Sequence, residues 1–312
     1  MKTLTETIQL GDPVEHRGVV IAPLFPRRQP GAEYLTLEEA IPLGFRVEEV
    51  DEAGSVPELA AHNPLEKNVL LYDGEELLGA KQNRILNVTV LVAAQSLTKI
   101  PVTCVEEGRW STRTEFLRSA PHMSYPELRR RKAEQLSAEP MARGAAQSAV
   151  WDEVRAKSGR LDVDSPTLAA SEIYGAREND LEKLRKRFPL ESGQSGALFT
   201  LGDRMCVDYV SRPEAFARLY PKLLNGYLLD AIEWLDREPV GFEDVAAFYL
   251  AMESAARSRR PSAGLGEDVR LRGDTVVGSG LKLDSELVQL CAFSSESDSA
   301  TTRIARPSRR VS

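Results

Sequence analysis

NVLLYDGEELLGAKQNRILNVTVLVAAQS, residues Asn68 to Ser96, decides how the chain is read. Two apolar runs flank Asp73-Gly74. An Asp-Gly pair in that setting predicts a β-hairpin, because a tight primed turn needs positive φ at both central positions. NVTVLVAA is β-branched and nearly unbroken, which predicts a buried central strand. KIPVTCVEEGRW (99–110) predicts another strand, ending in a turn at Glu107-Gly108. These pieces pair most simply as antiparallel neighbours. Among them GAKQNRILN (79–87) interrupts the apolar sequence with Lys81, Gln82, Asn83, Arg84 and Asn87. Such hydrogen-bonding capacity fits either a solvated connection or a ligand site.

Working outward, RGVVIAPLFP (17–26) and FRVEEVD (45–51) predict strands around a short helix. Thr36 and Glu39 give that helix the capping-box form, and Pro42 and Gly44 end it. Residues 113–190 change character. SYPE (124–127) has the capping-box form and opens a charged helix whose ELRRRK segment predicts a solvated face, until Pro140 breaks the pattern. Val150, Trp151 and Val154, then Leu181, Leu184 and Phe188, mark further helices. GALFTLGDRMCVDYV (196–210) predicts a hairpin at Gly202-Asp203. SRPE (211–214) predicts a third cap, ahead of a helix with Phe216, Leu219, Leu223, Tyr227, Ile232 and Leu235 on its buried face. FEDVAAFYLAMESAA (242–256) predicts an amphipathic helix with RSRRP (257–261) at its end, and three strands close the fold. Strands bracket helices at both ends of the chain. The expectation is one α+β domain over 1–312, with a mixed or mostly antiparallel sheet. Residues 113–190 form a helical insertion, and the basic tail 295–312 is mobile or docked on an acidic body.

Composition bounds the function. The chain has 312 residues, 42% of them hydrophobic, so a sizeable core is expected. The net charge of −7 argues against a duplex nucleic-acid partner but leaves room for a local basic cleft. No window approaches the roughly 18 apolar residues of a membrane span, and the first residues lack a signal-peptide pattern, so a cytoplasmic protein is expected. Cys104, Cys206 and Cys291 lie far apart, as in a reducing compartment, and read as small core residues. Cys104 is the alternative candidate, as a nucleophile. The three histidines have no metal-ligand spacing, so no zinc site is expected and no metal ligand is named, while the many Asp and Glu leave room for a carboxylate-only magnesium site. The chain has no P-loop, no G-x-S-x-G and no H-E-x-x-H, and GLGEDVRLRG is not a dinucleotide fingerprint, so no cofactor is named.

Two segments carry the candidate chemistry. Lys81 and Arg84 suit phosphate or carboxylate, and Gln82, Asn83 and Asn87 suit hydroxyls and base edges. In CVEEGRW (104–110), Glu106 is the acid/base candidate, Arg109 a second anion clamp, and Trp110 a stacking surface. If the strands pair, the two segments meet and form a nucleotide-like site.

The order PLF (23–25), TLEEA, N-P (63–64), VLLYDGEELLGAKQNRILN, VLV and IPV-x-C-V-E-x-GRW resembles the ARPP family. That name records association with ADP-ribosylglycohydrolases and rhodanese-phosphatase proteins. The resemblance covers 17–118 best, and 197–235 and the closing strands more loosely. It carries over no established catalytic residue. It implies binding, with or without processing, of an ADP-ribose- or NAD-derived nucleotide in a bacterial stress or defence setting. The competing expectation is a non-enzymatic adaptor or sensor that docks a protein partner through the 79–87 loop.

Overall fold

The computed structural model describes residues 4–51, 54–55, 57–138, 143–239 and 241–295. The basic stretch 296–312 and Pro140 lie outside these residues. Alternating apolar sequence at both ends of the chain builds one nine-stranded sheet from distant segments. Its path runs Ile8–Leu10, Val19–Pro26, Gly196–Leu201, Arg204–Val210, Glu286–Ser294, Val276–Leu283, Glu267–Arg272, Ala256–Pro261, with Val14–His16 also on Val19–Pro26. The Gly202-Asp203 hairpin forms as expected, with Leu201 opposite Arg204 and Gly202 at φ 57°.

The 68–104 region does not make one sheet. Val69–Leu71 pairs with Val90–Val92 and, in parallel, with Leu35–Thr36. Glu75–Leu78 instead joins a six-stranded sheet, ordered Arg118–Met123, Glu75–Leu78, Arg84–Leu86, Ser96–Cys104, Glu58–Asn63, Arg46–Glu49. The expected hairpin at Asp73-Gly74 is therefore a corner between two sheets. Gly74 has φ 82° while Asp73 is not among the positive-φ residues, so a primed turn is impossible. The Glu75 amide bonds the Tyr72 carbonyl at 3.0 Å instead, and the chain splays. The NVTVLV run is likewise only a three-residue strand at the border of the small sheet. The two smaller sheets enclose one apolar core, with Leu71 and Val90 from one side and Leu77, Leu86 and Ile100 from the other.

Helix Pro213–Ile232 covers one face of the nine-stranded sheet, burying Phe216, Leu219, Leu223 and Tyr227 as its spacing requires. Burying each such side chain contributes about 1.5–3 kcal/mol. Helix Phe242–Ser254 covers the other face through Phe248 and Met252. Thr36 and Glu39 do form the capping box of Leu37–Ala40. Ser211 does not cap its helix: Arg212 is the N-cap, and the Ser211 hydroxyl lies 3.3 Å from that of Tyr34. Ser124 Oγ is buried without a hydrogen-bond partner. RSRRP is an edge strand rather than a helix end, since Ala256–Pro261 pairs with Glu267–Arg272.

The ELRRRK segment departs most from expectation. Arg129 and Lys132 of helix Pro126–Ala138 are fully buried, because two carboxylates wait for them in the core. Arg129 grips Asp208 in a bidentate fork at 2.6 and 2.9 Å, and the Tyr72 and Tyr227 hydroxyls donate to the same carboxylate at 2.7 and 2.6 Å. Lys132 donates to Asp73 at 2.8 Å and to the Leu86 carbonyl at 2.6 Å. A Cβ on Gly74 would lie 2.7 Å from Arg129 Cδ, so glycine serves both the corner and this approach. The network ties the helix, the corner and the large sheet together.

Candidate functional site

The two motif segments meet. Arg84–Leu86 pairs with Val102–Cys104, which brings the loop before one strand beside the loop after the other. Glu106 and Arg109 then join at 2.6 Å, both buried. The Asn83 amide donates to Glu106 at 3.1 Å, Thr167 Oγ1 at 3.1 Å, and Gln82 Nε2 to the Glu106 carbonyl at 2.8 Å. Arg109 Nη1 donates to the carbonyls of Ala80 and Ser111, both at 2.8 Å, and Nη2 to Asn83 Oδ1 at 3.2 Å, while its Nε is buried without a partner. Loop 165–170 closes the arrangement, its Thr167 carbonyl accepting from the Gly108 amide at 2.9 Å.

These residues therefore converge on one another. Burial alone pushes the Glu106 pKa up. The Arg109 and Asn83 hydrogen bonds, the Arg109 charge and Thr167 outweigh it and hold the carboxyl below its ordinary range. Glu106 is an enclosed carboxylate that braces a loop and has no proton to give at neutral pH. Arg84 is also fully buried. Its Nη1 donates to Gln82 Oε1 at 3.0 Å, its Nη2 lies 3.8 Å from Glu49, and its Nε and Nη2 make no hydrogen bond. Trp110, 48% exposed, lies over Arg84 at 5.4 Å and Lys81 at 5.7 Å. Cys104 is buried, and burial pushes its thiol up to about 11, which leaves almost no thiolate at neutral pH.

Asn87 faces different surroundings. It borders a cleft of about 630 Å³ between strand Ser96–Cys104, helix Arg143–Arg160, the edge strand Ala256–Pro261 and its neighbour Glu267–Arg272. None of Lys81, Gln82, Asn83, Arg84, Glu106, Arg109 or Trp110 lines it. The side chains of Thr103 and Cys104 point to opposite faces of their strand, which separates the cleft from the Arg84 side. Thr103 donates to Asn87 Oδ1 at 2.6 Å, leaving the Asn87 amide nitrogen for the cleft. Gln147 docks its helix on the strand edge, bonding both the amide and the carbonyl of Cys104 at 2.9 Å.

Two residues that line this cleft each carry a buried donor without a hydrogen-bond partner. Trp151 Nε1 is one. The other is Nη1 of Arg270, a buried residue whose Nε and Nη2 are bound to Asp268 at 3.2 Å. Arg260 supplies a second cation, itself 2.8 Å from Asp268. An unmet buried donor costs about 1–3 kcal/mol, so each is a place where a ligand acceptor gains. Nothing local in the sequence marked Trp151, Arg260 or Arg270. Trp151 read as helix core and Arg260 as a helix end, and the strands that meet here are over 150 residues apart. Among the described residues no group of His, Cys, Asp and Glu side chains could hold a metal ion. No described helix is long and apolar enough to cross a membrane.

A family model matches residues 7–293; it describes the ARG and Rhodanese-Phosphatase-superfamily-associated Protein domain. The chain belongs to this family. Membership in the ARPP family extends the likeness from the 17–118 motifs to the whole described fold, and its name ties the domain to ADP-ribosylglycohydrolase and rhodanese-phosphatase proteins. No curated protein and no solved structure matches the chain.

Proposed function

We propose that this ARPP-family protein binds an ADP-ribose- or NAD-derived nucleotide in the cleft beside Asn87. The carrying observation is the pair of buried, unpartnered donors, Trp151 Nε1 and Arg270 Nη1, in a cavity of about 630 Å³. That volume lies within the range of small-molecule sites, about 300–1,000 Å³. Arg270 and Arg260 suit a diphosphate, Trp151 a base or ribose acceptor, and Asn87 with Thr103 the hydroxyls. The Glu106–Arg109 brace sets the end of the strand that carries Thr103. Among the described residues Asp268 is the one carboxylate lining the cleft, and it is already shared by two arginines, which favours binding over hydrolysis.

The test is thermal stability against ADP-ribose, NAD, ADP and AMP. At a hundredfold excess over Kd a ligand stabilises by about 2.7 kcal/mol. For this chain length that moves the midpoint by about 4 °C. Trp151→Phe keeps the ring but removes the donor, so it weakens the shift. A panel without any shift overturns the proposal. A second reading, partner docking, rests on Trp110, half exposed above Lys81 and Arg84. It predicts that Trp110→Ala leaves every nucleotide shift unchanged, and that no nucleotide competes with the partner.

A further inference from the structure

A second cavity, of about 520 Å³, opens on the far face of the nine-stranded sheet, beyond the C-terminal end of helix Phe242–Ser254. Its apolar wall includes Leu271, Leu287 and Leu290, which also belong to the core under that helix. Three cations line it: Arg28, Arg257 and Lys282. Arg257 is pinned, donating to the Glu253 carbonyl at 2.9 Å and the Met252 carbonyl at 3.1 Å. The side chains of Arg28 and Lys282 make no hydrogen bond or ion pair among the described residues.

Two acids also line the cavity. Glu286 has its Oε2 committed to the amides of Gly31 and Ala32 at 2.8 and 3.0 Å. Glu6 is the other. Three cations against two acids leave the lining with a net positive charge, and the apolar wall gains only from an apolar body. We propose that this cavity is a second ligand site, separate from the nucleotide cleft, for a small organic anion. Its carboxylate or phosphate group would sit among Arg28, Arg257 and Lys282, and its hydrocarbon body against Leu271, Leu287 and Leu290. A cleft nucleotide cannot fill it, because the two cavities share no lining residue.

The experiment is titration of the full chain with the fluorescent amphipathic anion 8-anilinonaphthalene-1-sulfonate, and then displacement by octanoate, benzoate and inorganic phosphate. Saturable binding to the native protein is expected, displaced by octanoate or benzoate and not by phosphate alone. The Arg28→Ala/Lys282→Met variant should weaken it about tenfold or more, since hydrogen bonds to charged groups are lost. Trp151→Phe should leave it unchanged. Both altered cations are at least partly exposed, and an unchanged melting midpoint confirms that the variant folds. If the double variant loses midpoint, Arg28→Ala alone is read instead. The proposal is overturned by non-saturable binding, by binding indifferent to Arg28 and Lys282, or by binding that Trp151→Phe removes.

Discussion

Replacing Asp208 by Asn changes two oxygen lone-pair sites into an amide in the most enclosed part of the protein. Four donors converge on this carboxylate. Arg129 Nη2 and the Tyr72 hydroxyl meet Oδ1, while Arg129 Nη1 and the Tyr227 hydroxyl meet Oδ2. Whichever oxygen becomes nitrogen, one arginine bond turns donor against donor. Burial works against the Arg129 charge, but Asp208 raises its pKa well above the ordinary value, so the guanidinium stays charged. The variant therefore leaves a buried cation without its counter-charge, a loss of about 3–5 kcal/mol. With an unfolding entropy near 2.1 cal/mol/K per residue, the melting midpoint falls by about 5–8 °C. Calorimetry on wild type, Asp208→Asn and Tyr227→Phe measures this. Tyr227→Phe removes a single donor to the charged carboxylate and should cost about 1.5–3 kcal/mol. Adding Arg129→Met to Asp208→Asn should recover part of the loss, because no uncompensated charge remains. An Asp208→Asn midpoint within about 1 °C of wild type would refute the argument that this ion cluster holds the layers together.

Trp151→Phe should leave the free protein as stable as before, or slightly more so, while nucleotide affinity falls by about 2–13-fold in a titration. Glu127 is buried; desolvation raises its pKa, but Arg130, Arg204 and Arg131 bring it down to about 2. Because the folded value lies below the unfolded one of about 4.3, acid protonates the unfolded chain first. Stability linked to Glu127 is complete above about pH 5 and lost as the pH falls toward 2, and urea unfolding of Glu127→Gln should show a shallower decline there. Cys104 should resist iodoacetamide at pH 8 in the native protein and react once unfolded, as mass spectrometry can follow; fast native labelling would restore the nucleophile reading.

The legible parts were those with local causes. The Thr36–Glu39 cap, the Gly202 hairpin and the face of Pro213–Ile232 each depend on residues within a few positions of one another. The Asp73-Gly74 corner misled because the same dipeptide serves a primed turn or an unprimed one, and the choice rests on partner strands elsewhere. The arginines of helix Pro126–Ala138 misled for a related reason. A charge run is solvated by default, and only Asp208, about 80 residues on, draws Arg129 inside.

The motif residues from Lys81 to Trp110 were found as a cluster, but their partners decided what they do. Glu106, Arg109, Gln82 and Asn83 bond one another, with only Arg109 Nε among them left unpartnered, whereas Asn87 turns to a cleft finished by Trp151 and Arg270. By itself the sequence determined the α+β class, the family and which segments bear unusual polarity, because periodicity, turn chemistry and motif strings are local. Only the tertiary structure decided which polar groups are spent and which are left with unmet bonds. Hydrogen-bond satisfaction is settled by neighbours in space, and here they come from strands more than a hundred residues apart.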